Sequence, residues 1–199
     1  MKDWTGNSNS VFKMLASSNH TDFDRQPYDY YATDPIAARL LLEVEQFSHD
    51  IWEPACGELH LANVFKSAGY NVRCSDIVNR AENEVMDFLD ITNTQWNGDI
   101  ITNPPYKYAR EFVEKALSII PEGHKVAMFL KLQFLEGKSR KKLFATYPPT
   151  CVYVSSSRIN CAMNGNFEGL RTTGGSAVAY AWYVWQKGYK GNTIIKWIN

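Results

Sequence analysis

From Asp34 onward, apolar residues recur at helical spacing: Ile36, Leu40, Val44 and Phe47 follow a proline, Pro35, of the kind a first helical turn tolerates. A first helix is predicted there. Asp50-Ile51-Trp52 reads as a short strand that runs into Glu53-Pro54-Ala55-Cys56-Gly57. Leu59, Leu61, Ala62, Val64, Phe65 and Ala68 then make a second helix, stopped by Gly69. A strand over Asn71–Ser75 ends at Asp76, and a brief apolar segment follows around Val85–Leu89. Asp99–Thr102 is a further strand, ending at Asn103-Pro104-Pro105-Tyr106, and Phe112, Val113, Ala116, Leu117 and Ile120 mark the helix after it. Val126–Leu130 and Cys151–Ser155 read as strands on either side of a basic helix, Lys138–Thr146. The chain closes with Ala177–Trp185 and Thr193–Ile198, two β-rich segments separated by a turn between Gly188 and Gly191, which read as a terminal hairpin.

Alternating strands and helices followed by a strand-only end predict an α/β fold: a doubly wound, mostly parallel sheet with an antiparallel C-terminal hairpin. Ligands of such sheets bind beyond the carboxyl ends of the strands, where Glu53, Asp76 and Asn103 fall. A chain of 199 residues favours one domain, read as residues 28–199, preceded by an arm over residues 1–27 that is rich in Asn, Ser, Asp and Thr. At 45% hydrophobic and 14% aromatic residues, a disordered or collagen-like chain is excluded. Lys and Arg number 21 against 21 Asp and Glu, so a polyanionic partner would have to be met by local cations. Cys56, Cys74, Cys151 and Cys161 form no metal-knuckle or redox spacing, so reduced thiols and no metal are expected. No run is long enough for a membrane span and the polar start has no apolar signal core, which makes the cytoplasm the expected compartment and a membrane partner unexpected.

The Glu53–Gly57 turn joins a strand to a helix through small residues that let a ligand approach the backbone. Only Gly57 of a Gly-x-Gly-x-x-Gly fingerprint is present, and Glu53 would repel a phosphate while attracting an ammonium group. A cofactor with an amino-acid tail fits better than a dinucleotide, which disfavours a nicotinamide dehydrogenase. Asp76 is placed to accept hydrogen bonds from two ribose hydroxyls, and Asp87-Phe88 to meet a purine. Asn103-Pro104-Pro105-Tyr106 is the most specific feature, expected by chance in on the order of one in a thousand chains of this length. Two prolines there fix the backbone and stop the ladder.

With these segments in this order, the chain resembles the S-adenosylmethionine-dependent amino-methyltransferases, most closely the phage and bacterial type of DNA N6-adenine methyltransferase. The resemblance runs from about Asp22 to Trp185, through Tyr30-Tyr31-Ala32-Thr33-Asp34-Pro35, Glu53–Gly57, Ser75-Asp76, Asp87-Phe88 and Asn103–Tyr106. It implies a Rossmann-like class I methyltransferase fold with a seven-stranded sheet, and S-adenosylmethionine as cofactor. It further implies that Ala32 and Thr33 help bind the methionine end, that Glu53, Pro54, Ala55, Cys56 and Gly57 line the cofactor, that Asp76 holds the ribose, that Asp87 and Phe88 hold the adenine, and that Tyr31 and Ile77 also contact the cofactor. Asn103, Pro104, Pro105 and Tyr106 are implied as catalytic, with Asn103 also at the cofactor. Where many relatives continue Gly-x-Gly, this chain reads Gly57-Glu58-Leu59-His60, which places a leucine side chain where close backbone approach is common.

The chemistry suits those residues. An aromatic exocyclic amine is a poor nucleophile until two acceptors draw its N–H bonds out of the ring plane, and the Asn103 side-chain carbonyl and Pro104 backbone carbonyl are the candidates. Tyr106 would stack on a flipped base. DNA is the expected partner, with Lys107 and Arg158 as candidate contacts and Lys138, Arg140, Lys141 and Lys142 as either a phosphate-binding cluster or a solvated helix face. The polar stretch Arg158–Arg171 is the candidate substrate-contacting loop. Of the aromatic run Tyr180, Trp182, Tyr183 and Trp185, most is expected in the core. The same tetrapeptide serves enzymes that methylate RNA guanine or a protein glutamine amide, and a non-catalytic binding module on the same fold is a further alternative.

Overall fold

The computed structural model describes residues 31–163 and 178–199. The expected arm and the Asn164–Arg171 part of the expected loop lie outside them. In chain order the elements are β1 (Tyr31–Thr33), α1 (Ile36–Val44), β2 (Asp50–Glu53), α2 (His60–Ser67), β3 (Asn71–Asp76), β4 (Glu84–Val85), β5 (Asp99–Thr102), α3 (Ala109–Ile119), β6 (Lys125–Lys131), α4 (Lys138–Thr146), β7 (Cys151–Ser155), β8 (Cys161–Met163), β9 (Tyr180–Gln186) and β10 (Ile194–Ile198). Short 3₁₀ turns, Tyr106–Tyr108 and Leu132–Leu135, follow β5 and β6.

Alternation along the central strands divides the core into two layers, because successive side chains of a strand point to opposite faces. Trp52, Ile100, Val126 and Met128 pack with Phe112, Val113 and Leu117 of α3. Ile51, Ile101, Ala127 and Phe129 pack with Ala37 and Leu41 of α1 and with Leu61 and Phe65 of α2. A strand covered on both faces must be apolar throughout, which is why β6 reads as an unbroken apolar run. α1 is started by Asp34, whose carboxylate accepts from the Ile36 N–H at 3.0 Å. It ends at Val44 rather than Phe47, where Glu45 turns extended and its carboxylate binds Lys125 Nζ at 2.6 Å.

The main sheet has the order β10-β7-β9-β6-β5-β2-β3-β4, and β1 with β8 forms a separate two-stranded ladder. β2 lies parallel to both β3 and β5, and β5 parallel to β6, so the chain reverses its direction of travel across the sheet between β2 and β5. The doubly wound, mostly parallel expectation holds, and β9 is its antiparallel member. The terminal pairing differs from the expected hairpin: β9 is inserted between β6 and β7, and β10 lies parallel beside β7, Ile194 opposite Cys151 and Ile198 opposite Ser155. A strand has two edges, and both edges of β9 are taken. β10 can pair only with the free edge of β7, and it makes an eighth strand where seven were expected.

One buried carboxylate fastens the amino ends of the central strands. Asp99, 3% exposed, accepts from the backbone N–H of Ser48 at 2.6 Å and of Lys125 at 2.7 Å, and it lies 3.0 Å from His124 Nδ1. The Asp99 N–H in turn donates to the Ser48 hydroxyl oxygen at 3.0 Å. Removing a buried acceptor strands several donors at once. Asp99→Ala is expected to lower unfolding free energy by about 2 to 4 kcal/mol, read by urea denaturation; a loss below about 0.5 kcal/mol would contradict this role.

Candidate functional site

Beyond the carboxyl ends of β2, β3, β5 and β6 lies a cavity of about 1150 Å³. Its walls come from the β2–α2 turn, the end of β3, the segment Met86–Asp90, the β5–α3 turn, and the end of β6 with the residues after it. That volume exceeds the roughly 300 to 1,000 Å³ of a typical small-molecule pocket, leaving room for two ligands.

The β2–α2 turn is built on left-handed backbone. Gly57 has φ +50° and Leu59 φ +65°, a region that costs an L-residue about 1 to 2 kcal/mol. Asp76 is tied to this turn, one carboxylate oxygen accepting from the Gly57 N–H at 2.9 Å and the other from the Val78 N–H at 3.0 Å. Leu59 is half-buried and is not part of the cavity wall. The departure from Gly-x-Gly therefore puts strain in the backbone rather than a side chain in the pocket.

Glu53, at the end of β2, is 2% exposed and lines the cavity. Burial raises its pKa well above the usual carboxylate value, and its Oε2 has no hydrogen-bond partner. Cys56 and Cys74, distant in sequence, meet beside it as free thiols. Their mutual hydrogen bond pushes Cys56 up and draws Cys74 down to about 7, with the Lys66 ammonium assisting. Among the described residues no cluster of acids, histidines and cysteines is arranged to hold a metal ion.

The β5–α3 turn carries the clearest geometry. Asn103 Nδ2 donates to the Tyr31 carbonyl at 3.2 Å and to Thr33 Oγ1 at 2.8 Å. A backbone carbonyl can only accept, so the amide nitrogen must face β1 and the amide orientation is fixed. Asn103 Oδ1 is left buried with no partner, on a residue that lines the cavity. Tyr106 sets its hydroxyl 3.3 Å from Cys161 Sγ, its ring 5.8 Å from that of Tyr180, and Lys131 Nζ stands 4.9 Å from its ring centroid. Burial drives the Tyr106 phenol well above its usual pKa, and burial likewise pushes the Cys161 thiol up to about 11. Tyr106 stays a neutral ring at any physiological pH.

Of the residues singled out in the sequence, Tyr31, Ala32, Thr33, Glu53, Pro54, Ala55, Cys56, Gly57, Asp76, Ile77, Asp87, Phe88, Asn103, Pro104, Pro105, Tyr106 and Lys107 all line this cavity. Phe88 is 1% exposed and packs edge-on against Trp52 at 5.3 Å. Arg158 is exposed and lies outside the cavity wall, because the chain leaves β7 before reaching it. Tyr180, Trp182, Tyr183 and Trp185 are buried core and none reaches the cavity. Of the basic helix only Arg140 lines it; Lys138, Lys141 and Lys142 are exposed. Lys131, Gln133 and Phe134 also line it without having been anticipated. The rule that selected Glu53, Asp76 and Asn103 also selects Lys131, the last residue of β6.

Leu59→Gly is expected to unfold within about 1 kcal/mol of the parent, since relief of left-handed strain offsets the lost side chain. Leu59→Val keeps apolar bulk but adds a β-branch, and is expected to lose about 1 to 2 kcal/mol. Thermal or urea denaturation distinguishes them; the reverse order would contradict the strain.

No protein-family model matches the chain, and no curated protein matches it in sequence. Solved structures do. A putative class I S-adenosylmethionine-dependent methyltransferase from Listeria monocytogenes superposes with a TM-score of 0.56 at 14% identity, covering 95% of this chain and 70% of that one. A predicted O-methyltransferase from Agrobacterium tumefaciens gives 0.59 at 12% identity over 81% and 85% of the two chains. A putative RNA methyltransferase from Pyrococcus horikoshii gives 0.56 at 15% over 87% and 96%. The chain has the Rossmann-like fold of the class I S-adenosylmethionine-dependent methyltransferases.

Proposed function

We propose that the protein transfers a methyl group from S-adenosylmethionine to the exocyclic N6 amine of adenine in DNA. The observation that carries this reading is the unpartnered, buried Oδ1 of Asn103, fixed in orientation by β1. A buried acceptor without a donor costs about 1 to 3 kcal/mol, and an incoming N–H removes that cost.

The residues present fit the cofactor. Glu53 Oε2 is a buried acceptor without a partner, suited to an ammonium group held directly or through water. Each oxygen of Asp76 takes one backbone N–H and keeps acceptor capacity for a ribose hydroxyl. When bound, the cofactor supplies a sulfonium methyl with a neutral leaving group, so alignment is most of the task. Asn103 Oδ1 accepts one N–H of the target amine, with the Pro104 carbonyl as the second acceptor. These acceptors draw the nitrogen lone pair out of conjugation and stabilise the positive charge that develops on it. The proton leaves afterwards from a strongly acidic cation. Tyr106, held neutral, offers its ring to the base, and the two prolines keep the turn stiff.

Placing Leu59 away from the cavity removes the main argument for a non-catalytic module. The choice of DNA rests on the resemblance through Tyr30–Pro35 and on the order of the motifs. With tritiated cofactor and DNA, RNA or protein offered separately, label is expected in DNA, and digestion is expected to yield N6-methyladenine. Label in RNA or protein with none in DNA would overturn the substrate.

Glu53 adds a pH signature. Below its raised pKa the free carboxyl holds a proton that a cationic ligand must displace, so cofactor affinity should climb as pH rises through that pKa, above the usual carboxylate range. Glu53→Gln should flatten that rise and weaken binding at the upper end, as read by titration calorimetry. An identical slope in parent and variant would contradict the assignment.

A further inference from the structure

Charge in the cavity is sorted by strand. On one side of β5 the walls carry four carboxylates, Glu53, Asp76, Asp87 and Asp90, together with one arginine, Arg80, all from β2, β3 and the segments that follow β3 and β4. On the other side they carry Lys131, at the end of β6, and Arg140, from α4. Asn103, just past β5, stands between the two sets. A chain with no net charge has thus built a cavity whose lining carboxylates all stand on one flank, with Arg80 among them, while the other flank carries cations alone and Lys107 lies in the turn between.

Arg140 is held in place rather than left to solvent. Its Nη2 donates to the Gln133 carbonyl at 3.2 Å, and its guanidinium carbon lies 5.3 Å from the Phe134 ring centroid. Gly137 makes this seat possible: a Cβ there would stand 2.8 Å from Nη2, and its φ of +121° is one that a side chain disfavours. The Nε atom is buried with no hydrogen-bond partner. A fixed guanidinium with an unsatisfied buried donor, on the wall of a ligand cavity, matches the fork that binds a phosphate. The neighbours of the helix, Lys138, Lys141 and Lys142, have no such seat and are solvated.

We propose that Arg140 is the phosphate anchor of the acceptor strand: its guanidinium holds a phosphodiester next to the nucleotide whose amine is presented to Asn103. This rests on the methyl-transfer reading of the Asn103 site and goes beyond it by assigning the anion subsite to the β6 flank. Cationic groups of the cofactor then belong to the Glu53 flank, and the anionic part of the substrate to the Arg140 flank. A neutral glutamine amide in a protein would leave the second flank without a partner.

The test uses the full chain as parent, Arg140→Gln and Arg140→Lys, each first checked for an unchanged circular-dichroism melt. Methylation of sheared genomic DNA gives KM and kcat, calorimetry gives cofactor affinity, and anisotropy of a fluorescein-labelled DNA oligonucleotide between about 50 and about 300 mM KCl gives the salt slope. Arg140→Gln is expected to raise KM for DNA about tenfold or more, to reduce the salt slope by about one, and to leave cofactor affinity within about twofold. Arg140→Lys should restore the slope, which reads charge, but not KM, which reads the fork. Unchanged KM and slope, or cofactor binding weakened as much as DNA binding, would overturn the anchor. Should the parent label no DNA, the oligonucleotide arm decides alone. An Arg140-dependent slope keeps the anchor while the adenine reading falls, and its absence, or no binding by the parent, sinks the anchor.

Discussion

Asp99 opens β5 and Asn103 follows its last residue, and the rest of the molecule is arranged around what they hold. At the amino end, the Asp99 carboxylate gathers backbone donors from the segments leading into β2 and β6. At the carboxyl end, the Asn103 amide is held by a carbonyl and a hydroxyl of β1. Every side chain between them is buried, so the strand has no freedom to shift relative to either. The consequence is a catalytic candidate whose position is set by the sheet and whose rotation is set by a separate two-stranded ladder. Rigid support of this kind is what a reaction limited by alignment requires.

Elements with strong punctuation were legible from the residues alone. α4 runs over Lys138–Thr146 as its polar and apolar spacing predicts, and β5 over Asp99–Thr102 ends where two prolines forbid continuation. The site was legible for the same reason, since in a parallel sheet the residues that end strands share one edge. What was not legible depended on contacts far apart in sequence. Strand order at the C-terminus follows from which edges are vacant, and a local turn between Gly188 and Gly191 says nothing of that. The meeting of Cys56 with Cys74 likewise comes from the turn after β2 lying beside β3 rather than from a spacing. The hold of Thr33 on Asn103 spans 70 residues of chain, and resemblance alone assigns Thr33 to the methionine end.

Electrostatics settle a tension raised by the composition. Equal numbers of acids and bases gave no sign of a polyanionic partner, yet the carboxylates that line the cavity all lie on one side of β5, while Lys131 and Arg140 lie on the other. The burial that raises the Glu53 pKa and the seat that fixes Arg140 have a common logic. Each holds a buried polar atom without a partner on the cavity wall, Glu53 Oε2 and Arg140 Nε, and in the proposed reading a ligand of opposite charge offsets that cost. Net charge is a poor guide when the functional charges number a handful and sit on opposite flanks of one strand.

In the proposed reaction the Asn103 side-chain carbonyl acts on the acceptor amine and not on the cofactor. Single-turnover methyl transfer and calorimetric cofactor binding, compared between the parent and Asn103→Ala, test it most directly. Transfer is expected to slow by about a hundredfold or more, with cofactor affinity kept within about threefold. Equal loss of both, or transfer at the parent rate, would contradict it.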